Sequence, residues 1–208
     1  MDGPRTDAVT APRLVVATAN PGKAVELREL LAGSGWEILS PAEFGLGAVD
    51  VIEGGRSYLE NVTLKAVAYS RAAQMAALAD DSGLEVDALD GRPGVFSARY
   101  GGAGLPGGHR LRMLRLLDEL EGVPRGRRTA RFRTALALAL PGGRTFVREG
   151  VVEGRIAEAP RGEGGFGYDP VFELLDGRTM AEIGSEKASI SHRARAVREM
   201  MPVLNDLA

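Results

Sequence analysis

Leu14-Val15-Val16-Ala17-Thr18-Ala19-Asn20-Pro21-Gly22-Lys23 is a short apolar run broken by Asn-Pro-Gly. That pattern predicts a buried strand ending in a tight turn. Ala24 to Ala32 follows with Val25, Leu27, Leu30 and Leu31 at helical spacing, so the turn opens into a helix. Trp36-Glu37-Ile38-Leu39 reads as a second strand. Ser57 to Met75 reads as a long helix, and Ser57 with Glu60 three residues on matches a capping box. Ala76-Ala77-Leu78-Ala79 reads as a short third strand running into Asp80-Asp81-Ser82-Gly83. The order β-α-β-α-β places the chain in the α/β class.

Outward from this frame the signals are weaker. Pro41 to Arg56 and Arg92 to Gly108 are rich in glycine and read as loops. His109 to Leu120 is amphipathic. Thr129 to Leu140 and Arg144 to Ile156 flank Pro141-Gly142-Gly143, which predicts a long hairpin. Arg161 to Asp169 reads as another loop, and Ser191 to Leu204 as a closing helix. Met1 to Arg13 reads as a disordered tail, leaving a single domain over residues 14–208.

Composition narrows the chemistry. The chain has no cysteine and two histidines, which excludes disulfides and a Cys/His zinc site. Any metal is then held by oxygen, as Mg²⁺ or Mn²⁺ are. A net charge of −2 gives no general pull toward nucleic acid or an acidic membrane. No apolar run reaches the length of a membrane span, so a cytoplasmic protein is the default. Of 26 basic residues only Lys23, Lys65 and Lys187 are lysine. Lysine is a compact point charge and arginine a planar fork. Lysines retained against so strong an arginine bias mark candidate phosphate contacts.

Four segments hold the candidate chemistry, and a fifth is a decoy. Thr18 to Lys23 is a strand-to-helix turn whose N–H groups can cradle phosphate, although it lacks the Walker A pattern. Asp80-Asp81-Ser82-Gly83 sets two carboxylates where an apolar strand stops; they serve as metal ligand and base, or merely cap the strand. Gly164-Gly165-Phe166-Gly167-Tyr168-Asp169 offers two aromatics for stacking on a base, or a loop Phe plugging the core edge. Ser191-His192-Arg193 opens the last helix shortly after Lys187, as a reader of a base edge or as a capped surface turn. Gly102 to Gly107 fits G-x-G-x-x-G, but it follows no apolar strand and holds Pro106, so it is no dinucleotide fingerprint.

Together these segments resemble the inosine triphosphatase family, also called the HAM1-like proteins. The matching stretches are Ala17 to Lys23 with Glu26, Glu60-Asn61 with Lys65, Ala79 to Leu84, Pro93 to Tyr100, Gly164 to Pro170, and Ser191-His192-Arg193 after Lys187. The resemblance implies an elongated α/β fold with mixed sheet and flanking helices, its two lobes closing on a central nucleotide cleft, in a homodimer. It implies Mg²⁺-dependent hydrolysis of noncanonical purine triphosphates (ITP, dITP, XTP) to monophosphate and pyrophosphate, with Mn²⁺ as a substitute ion. Asp81 matches the catalytic proton acceptor, and Asp81, Asp80 and Glu53 the metal-associated positions. Thr18, Ala19, Asn20, Pro21, Gly22, Lys23 and Lys65 match phosphate contacts. Ser82, Phe166, Gly167, Tyr168, Asp169, Lys187, His192 and Arg193 match contacts to the rest of the nucleotide. Two departures stand out. The acidic loop reads Ile52-Glu53-Gly54-Gly55 where many relatives carry paired Glu, and Ala19 stands where many carry Gly. The rival readings are a Maf-like pyrophosphatase of other modified nucleotides and a catalytically silent nucleotide binder.

The lysine census generates a direct test. A surface lysine tolerates Lys→Arg within about 0.5 kcal/mol. A lysine wedged against phosphate does not, because a displacement of ~1 Å costs about a hundredfold in rate. Lys23→Arg and Lys65→Arg are expected to lower kcat/KM strongly at an almost unchanged melting temperature, and Lys187→Arg to act more mildly. Steady-state kinetics beside thermal melts decide it, and wild-type activity in all three variants defeats the idea.

Overall fold

The computed structural model describes residues 11–46, 49, 51, 54, 57–101 and 108–208. Among them runs a six-stranded mixed sheet of order β2-β1-β3-β4-β5-β6. Its strands are β1 (Arg13–Ala17), β2 (Glu37–Leu39), β3 (Ala76–Val86), β4 (Thr129–Ala139), β5 (Thr145–Ile156) and β6 (Phe172–Glu173). The helices are α1 (Pro21–Leu30), α2 (Tyr58–Ala73), α3 (Gly108–Glu119), α4 (Lys187–Ile190) and α5 (His192–Leu207). β1 pairs in parallel with β2 and β3, and every later pairing is antiparallel. The α/β class and the mixed sheet expected from the sequence are both present.

The caps expected at Ser57 and Ser191 form, and Asn20 adds a third. Asn20 caps α1 by accepting from the Lys23 amide, with Pro21 at the first helical position. Ser57 accepts from the Glu60 amide at the start of α2, and Ser191 from the Ala194 amide at the start of α5. Each satisfies a donor that the helix itself leaves orphaned.

Several expectations need correction. β3 does not stop at Ala79. It runs on to Val86, because β4 pairs with it along ten consecutive positions, from Ala77↔Ala139 to Val86↔Ala130. A continuous partner overrides the turn signal of Asp-Asp-Ser-Gly. Arg13, assigned to the tail, is the first residue of β1 and pairs with Glu37. The glycine-rich stretch after Arg92 holds a 3-10 helix, Gly94–Arg99, behind a cis Arg92–Pro93 bond. β6 and α4, at two and four residues, are too short to carry a periodic signal.

The core divides along the sheet. At one end Leu14, Val16, Leu78, Leu136 and Leu138 pack under α1 and α5. On the opposite face Val15, Ala17, Ala77, Ala79, Ala135 and Ala137 pack under α2. At the other end Leu84, Val86, Ala130, Phe132, Val152 and Ile156 meet α3 and β6. Between the two ends, β3 carries Asp80 to Gly83, β4 carries Thr134, and β5 carries Gly150. These polar and small residues form a waist between two lobes. β1 ends opposite Ala79, so one edge of β3 is left open at that point.

Gly150 sets how closely α5 lies on that waist. A Cβ at this position would stand 2.0 Å from the His192 carbonyl oxygen and 2.8 Å from the Ala196 amide nitrogen. Both obstacles are backbone, so the helix itself has to move. Gly150→Ala is therefore expected to cost about 1–3 kcal/mol, the usual range for overpacking. A urea titration reads it, and an unmoved midpoint means that α5 is not held at this distance.

Candidate active site

A cleft of about 420 Å³ opens at the waist. That volume suits a small-molecule ligand. One wall is the end of β1 and the turn into α1: Ala17, Thr18, Ala19, Asn20 and Lys23. The positive end of α1 is thus turned to the cleft. Asn20 is held by its cap, and its own amide donates to Thr18 Oγ1 (3.1 Å). Ala19 is not among the residues with positive φ, so a side chain there meets no backbone strain. Pro21 and Gly22, expected as phosphate contacts, do not line the cleft. Gly22 lies beneath Phe166, whose ring would stand 2.8 Å from a Cβ there.

Neighbouring residues of a strand point to opposite faces, and this separates the two aspartates. Asp81 turns to the α2 side and lines the cleft, its Oδ2 accepting from Asn61 Nδ2 (3.1 Å). Burial raises the Asp81 carboxyl above its ordinary value, against the pull of Lys23, the Asn61 bond and Lys65. A carboxylate so poised is a better proton acceptor than a solvated one. Asp80 turns to the α1 and α5 side and is 1% exposed. Its Oδ2 meets Lys23 Nζ (2.6 Å), and its Oδ1 meets Arg193 Nε (3.2 Å) and the Thr134 hydroxyl. Burial alone would raise its pKa, but Arg193 and Lys23 together hold it below the carboxylate range. Asp80 does not line the cleft. Asp80, expected as a metal ligand, faces away from the cleft, and both of its oxygens are taken by donors.

The far wall is built by α4, α5 and the loop before β6. Arg193 is 1% exposed. It donates to Asp80 from Nε and Nη2, to Ser82 Oγ from Nη2 (3.1 Å), and to Glu26 Oε2 from Nη1 (2.8 Å). Four of its five N–H groups are so committed. Lys187 Nζ pairs with Asp169 Oδ2 (2.7 Å). Burial raises the Asp169 carboxyl despite this partner. The Phe166 ring lies 4.7 Å from Lys187 Nζ and 5.7 Å from the Arg193 guanidinium carbon. Phe166 is the loop's half-buried aromatic face. Tyr168, expected beside it, borders the cleft but is largely buried in the core, and its hydroxyl donates to the Ser97 carbonyl (3.0 Å).

His192 is buried and stacks on Phe132, with centroids 4.9 Å apart at 17°. Its Nδ1 has no hydrogen-bond partner among the described residues. Burial, with Arg193 beside it, pushes its pKa well below the ordinary histidine value. The ring is therefore neutral at physiological pH.

Of the other expected residues, Thr18, Ala19, Asn20, Lys23, Lys65, Asp81, Ser82, Phe166, Gly167, Tyr168, Asp169, Lys187, His192 and Arg193 all meet at the one cleft. Glu53 lies outside the described residues, as do Gly102 to Gly107 and the first ten residues of the tail. Sequence reasoning missed Phe132, Thr134, His109 and Arg112. The first two look like ordinary strand residues. The last two stand one turn apart on α3, where Arg112 donates to the Ala98 carbonyl (2.9 Å) and meets His109 Nδ1 (2.9 Å).

The state of His192 is measurable. Its folded pKa lies below its unfolded value of ~6.5, so its contribution to stability is present above that pH and fades below it, at most about 1.4 kcal/mol per pH unit. NMR titration of the ring carbons is expected to show no protonation of His192 between pH 5 and 8. A midpoint near 6.5 for that ring contradicts the buried neutral form.

The same chain, compared with known proteins, matches the Ham1 family model over residues 14–203. It is 53% identical over 189 residues to the dITP/XTP pyrophosphatase of Geobacillus kaustophilus, covering 90% of this chain and 91% of that one. It is 49% identical over 196 residues to a dITP/XTP pyrophosphatase of Thermus thermophilus, covering 93% and 92%. A HAM1 protein from Coxiella burnetii superposes with a TM-score of 0.82 at 37% identity, over 94% of this chain and 99% of that one. The dITP/XTP pyrophosphatase structure from Mycobacterium abscessus gives a TM-score of 0.71 at 41% identity, over 91% and 99%. A match that runs from the first strand into the last helix, and so takes in every element around the cleft, makes this chain a member of the Ham1 family.

Proposed function

We propose that this protein hydrolyses noncanonical purine nucleoside triphosphates, ITP, dITP and XTP, to the monophosphate and pyrophosphate. The observation that carries the reading is the division of the cleft. A buried carboxylate with raised pKa, Asp81, stands beside Lys23, Lys65 and the positive end of α1, while the far wall presents Phe166 and the neutral His192 ring. The relatives named as dITP/XTP pyrophosphatases support the same choice.

The triphosphate lies along the Thr18–Lys23 turn and Lys65. Those positive groups favour charge on the departing pyrophosphate. Asp81 orients water toward the α-phosphorus and accepts its proton. Asn61 fixes the Asp81 carboxylate through Oδ2. At the other end the purine stacks on Phe166. The spare N–H of Arg193 and the polar edge of His192 face the 6-oxo group that marks hypoxanthine and xanthine. Adenine would leave such groups unpaired, at about 1–3 kcal/mol for each buried contact.

A divalent ion fits the acceptors present. Asp81 brings a hard carboxylate to the cleft, and no group of three or more metal-binding side chains occurs among the described residues. Mg²⁺ is suited to such a site, since it takes one or two carboxylates and fills its shell with water and substrate phosphate. Asp81 and Glu53 would hold it, with Mn²⁺ as substitute, and it would neutralise phosphate charge. The proposal includes a single domain over residues 14–208, a cytoplasmic setting and a homodimer, the last carried by the family resemblance. No described helix is long and apolar enough to cross a membrane.

Pyrophosphate release from a nucleotide panel with and without Mg²⁺ tests the function. ITP, dITP and XTP are expected to yield monophosphate and pyrophosphate, with ATP far slower. Diphosphate and orthophosphate as first products would refute the assigned bond. Asp81→Asn is expected to fold and to lose about a hundredfold or more in kcat, since Asn is no base.

A further inference from the structure

We propose that Asp80 is a positioning residue that ties the phosphate end of the cleft to its base end, and that it is not a metal ligand. The inference rests on the pyrophosphatase reading above and deepens it.

Three observations carry it. First, Asp80 holds one residue from each end of the cleft. Its carboxylate meets Lys23 Nζ at 2.6 Å and Arg193 Nε at 3.2 Å. Lys23 stands at the start of α1 and Arg193 in the first turn of α5, and one carboxylate joins the two helices across β3. Second, Asp80 is out of reach of a ligand in the cleft. It is 1% exposed, it faces the α1 and α5 side, and Thr134 and Ser82 occupy its remaining lone pairs. Third, its partners have few alternatives. Among the described residues Arg193 keeps Glu26, at 2.8 Å, as its other direct ion-pair partner, with Asp169 acting from farther off. Lys23 has Asp81 nearby as a second attractor.

The consequence follows from charge. With Asp80 ionised, Lys23 pairs directly with it and acts on the Asp81 carboxylate only from a distance, which leaves Asp81 available as a base. Arg193 is held in one plane, its spare N–H fixed against the purine edge. With a neutral amide at position 80, Lys23 swings to Asp81 and Arg193 is left with Glu26 and Ser82. The first change slows hydrolysis of every substrate. The second blurs the choice of base. A ligand of the metal would behave differently: its loss raises the metal requirement and leaves the choice of base alone.

Asp80→Asn separates the two. Wild type and variant are assayed with ITP and ATP across a Mg²⁺ titration. The expected result is a fall of about tenfold or more in the ratio of kcat/KM for ITP over ATP, with the Mg²⁺ concentration at half-maximal rate shifted by less than about twofold. A half-maximal Mg²⁺ concentration raised about tenfold at unchanged selectivity overturns the proposal, because it makes Asp80 a ligand. An equal loss on both nucleotides overturns it as well. If Asp80→Asn does not fold, Thr134→Val decides, since it removes a hydroxyl bonded to Asp80 Oδ1 and leaves both charges in place. It is expected to narrow selectivity about threefold, and unchanged selectivity there refutes the coupling. A wild-type protein that releases no pyrophosphate fails the functional reading itself. Working wild type beside an equally selective variant fails only this inference.

Discussion

Adjacent side chains of a strand cannot share a face, and at Asp80-Asp81 that constraint divides one acidic pair into two jobs. Asp81 reaches the cleft, where burial raises its carboxyl above the ordinary value. Asp80 reaches the interior, where it anchors Lys23 and Arg193. The separation holds only while β3 stays a strand through the pair. It does so because β4 pairs with it without a break from Ala77 to Val86. A turn after Ala79 would let both carboxylates swing to one side, and α5 would lose its anchor.

The anchor is costly on its own terms. Ions taken out of water lose several kcal/mol each, and a buried pair recovers this only with good geometry and full hydrogen bonding. Here Asp80, Lys23, Arg193, Glu26, Lys187 and Asp169 form a continuous chain of contacts closed by Ser82, Thr134 and Ser191. Replacing such a chain with apolar residues would often be neutral for stability. What it does here is link groups on both cleft walls, which leucine cannot do. It also constrains shape: α5 must lie close enough for Arg193 to reach across the sheet, and Gly150 makes room.

The fold was legible in the sequence wherever periodicity was long. Strand β1, helix α2 and the β4–β5 hairpin stand where alternation and capping put them. The site was legible too, since its expected residues, apart from Asp80, Pro21, Gly22 and the undescribed Glu53, line one cleft. What could not be read depended on partners distant in sequence. Asp80 and Asp81 are alike until β4 fixes the strand and Arg193, more than a hundred residues on, claims one of them. Tyr168 looks like a stacking ring until Ser97 offers it a carbonyl inside the core. Thr134 has no signal of its own, because a threonine in a strand is ordinary until its hydroxyl meets a buried carboxylate.

The choice between lysine and arginine now has a structural sense. Arg193 uses its fork: one planar group spans two carboxylates, Asp80 and Glu26, and a serine hydroxyl, in a buried space. Arg131 does likewise on the open sheet surface, reaching Glu85, Asp87 and Glu153. Lys23 and Lys187 have the other task. Each sets a single ammonium close against a carboxylate at a cleft wall, Lys23 on Asp80 at 2.6 Å and Lys187 on Asp169 at 2.7 Å, with Glu26 3.5 Å from Lys187. A guanidinium in either place would bring extra donors, with a buried carboxylate on one side and the cleft on the other. At Lys187 the Phe166 ring, with its centroid 4.7 Å from Nζ, bounds that space. At Lys23 and Lys187 a chain otherwise rich in arginine thus sets a point charge at the cleft wall.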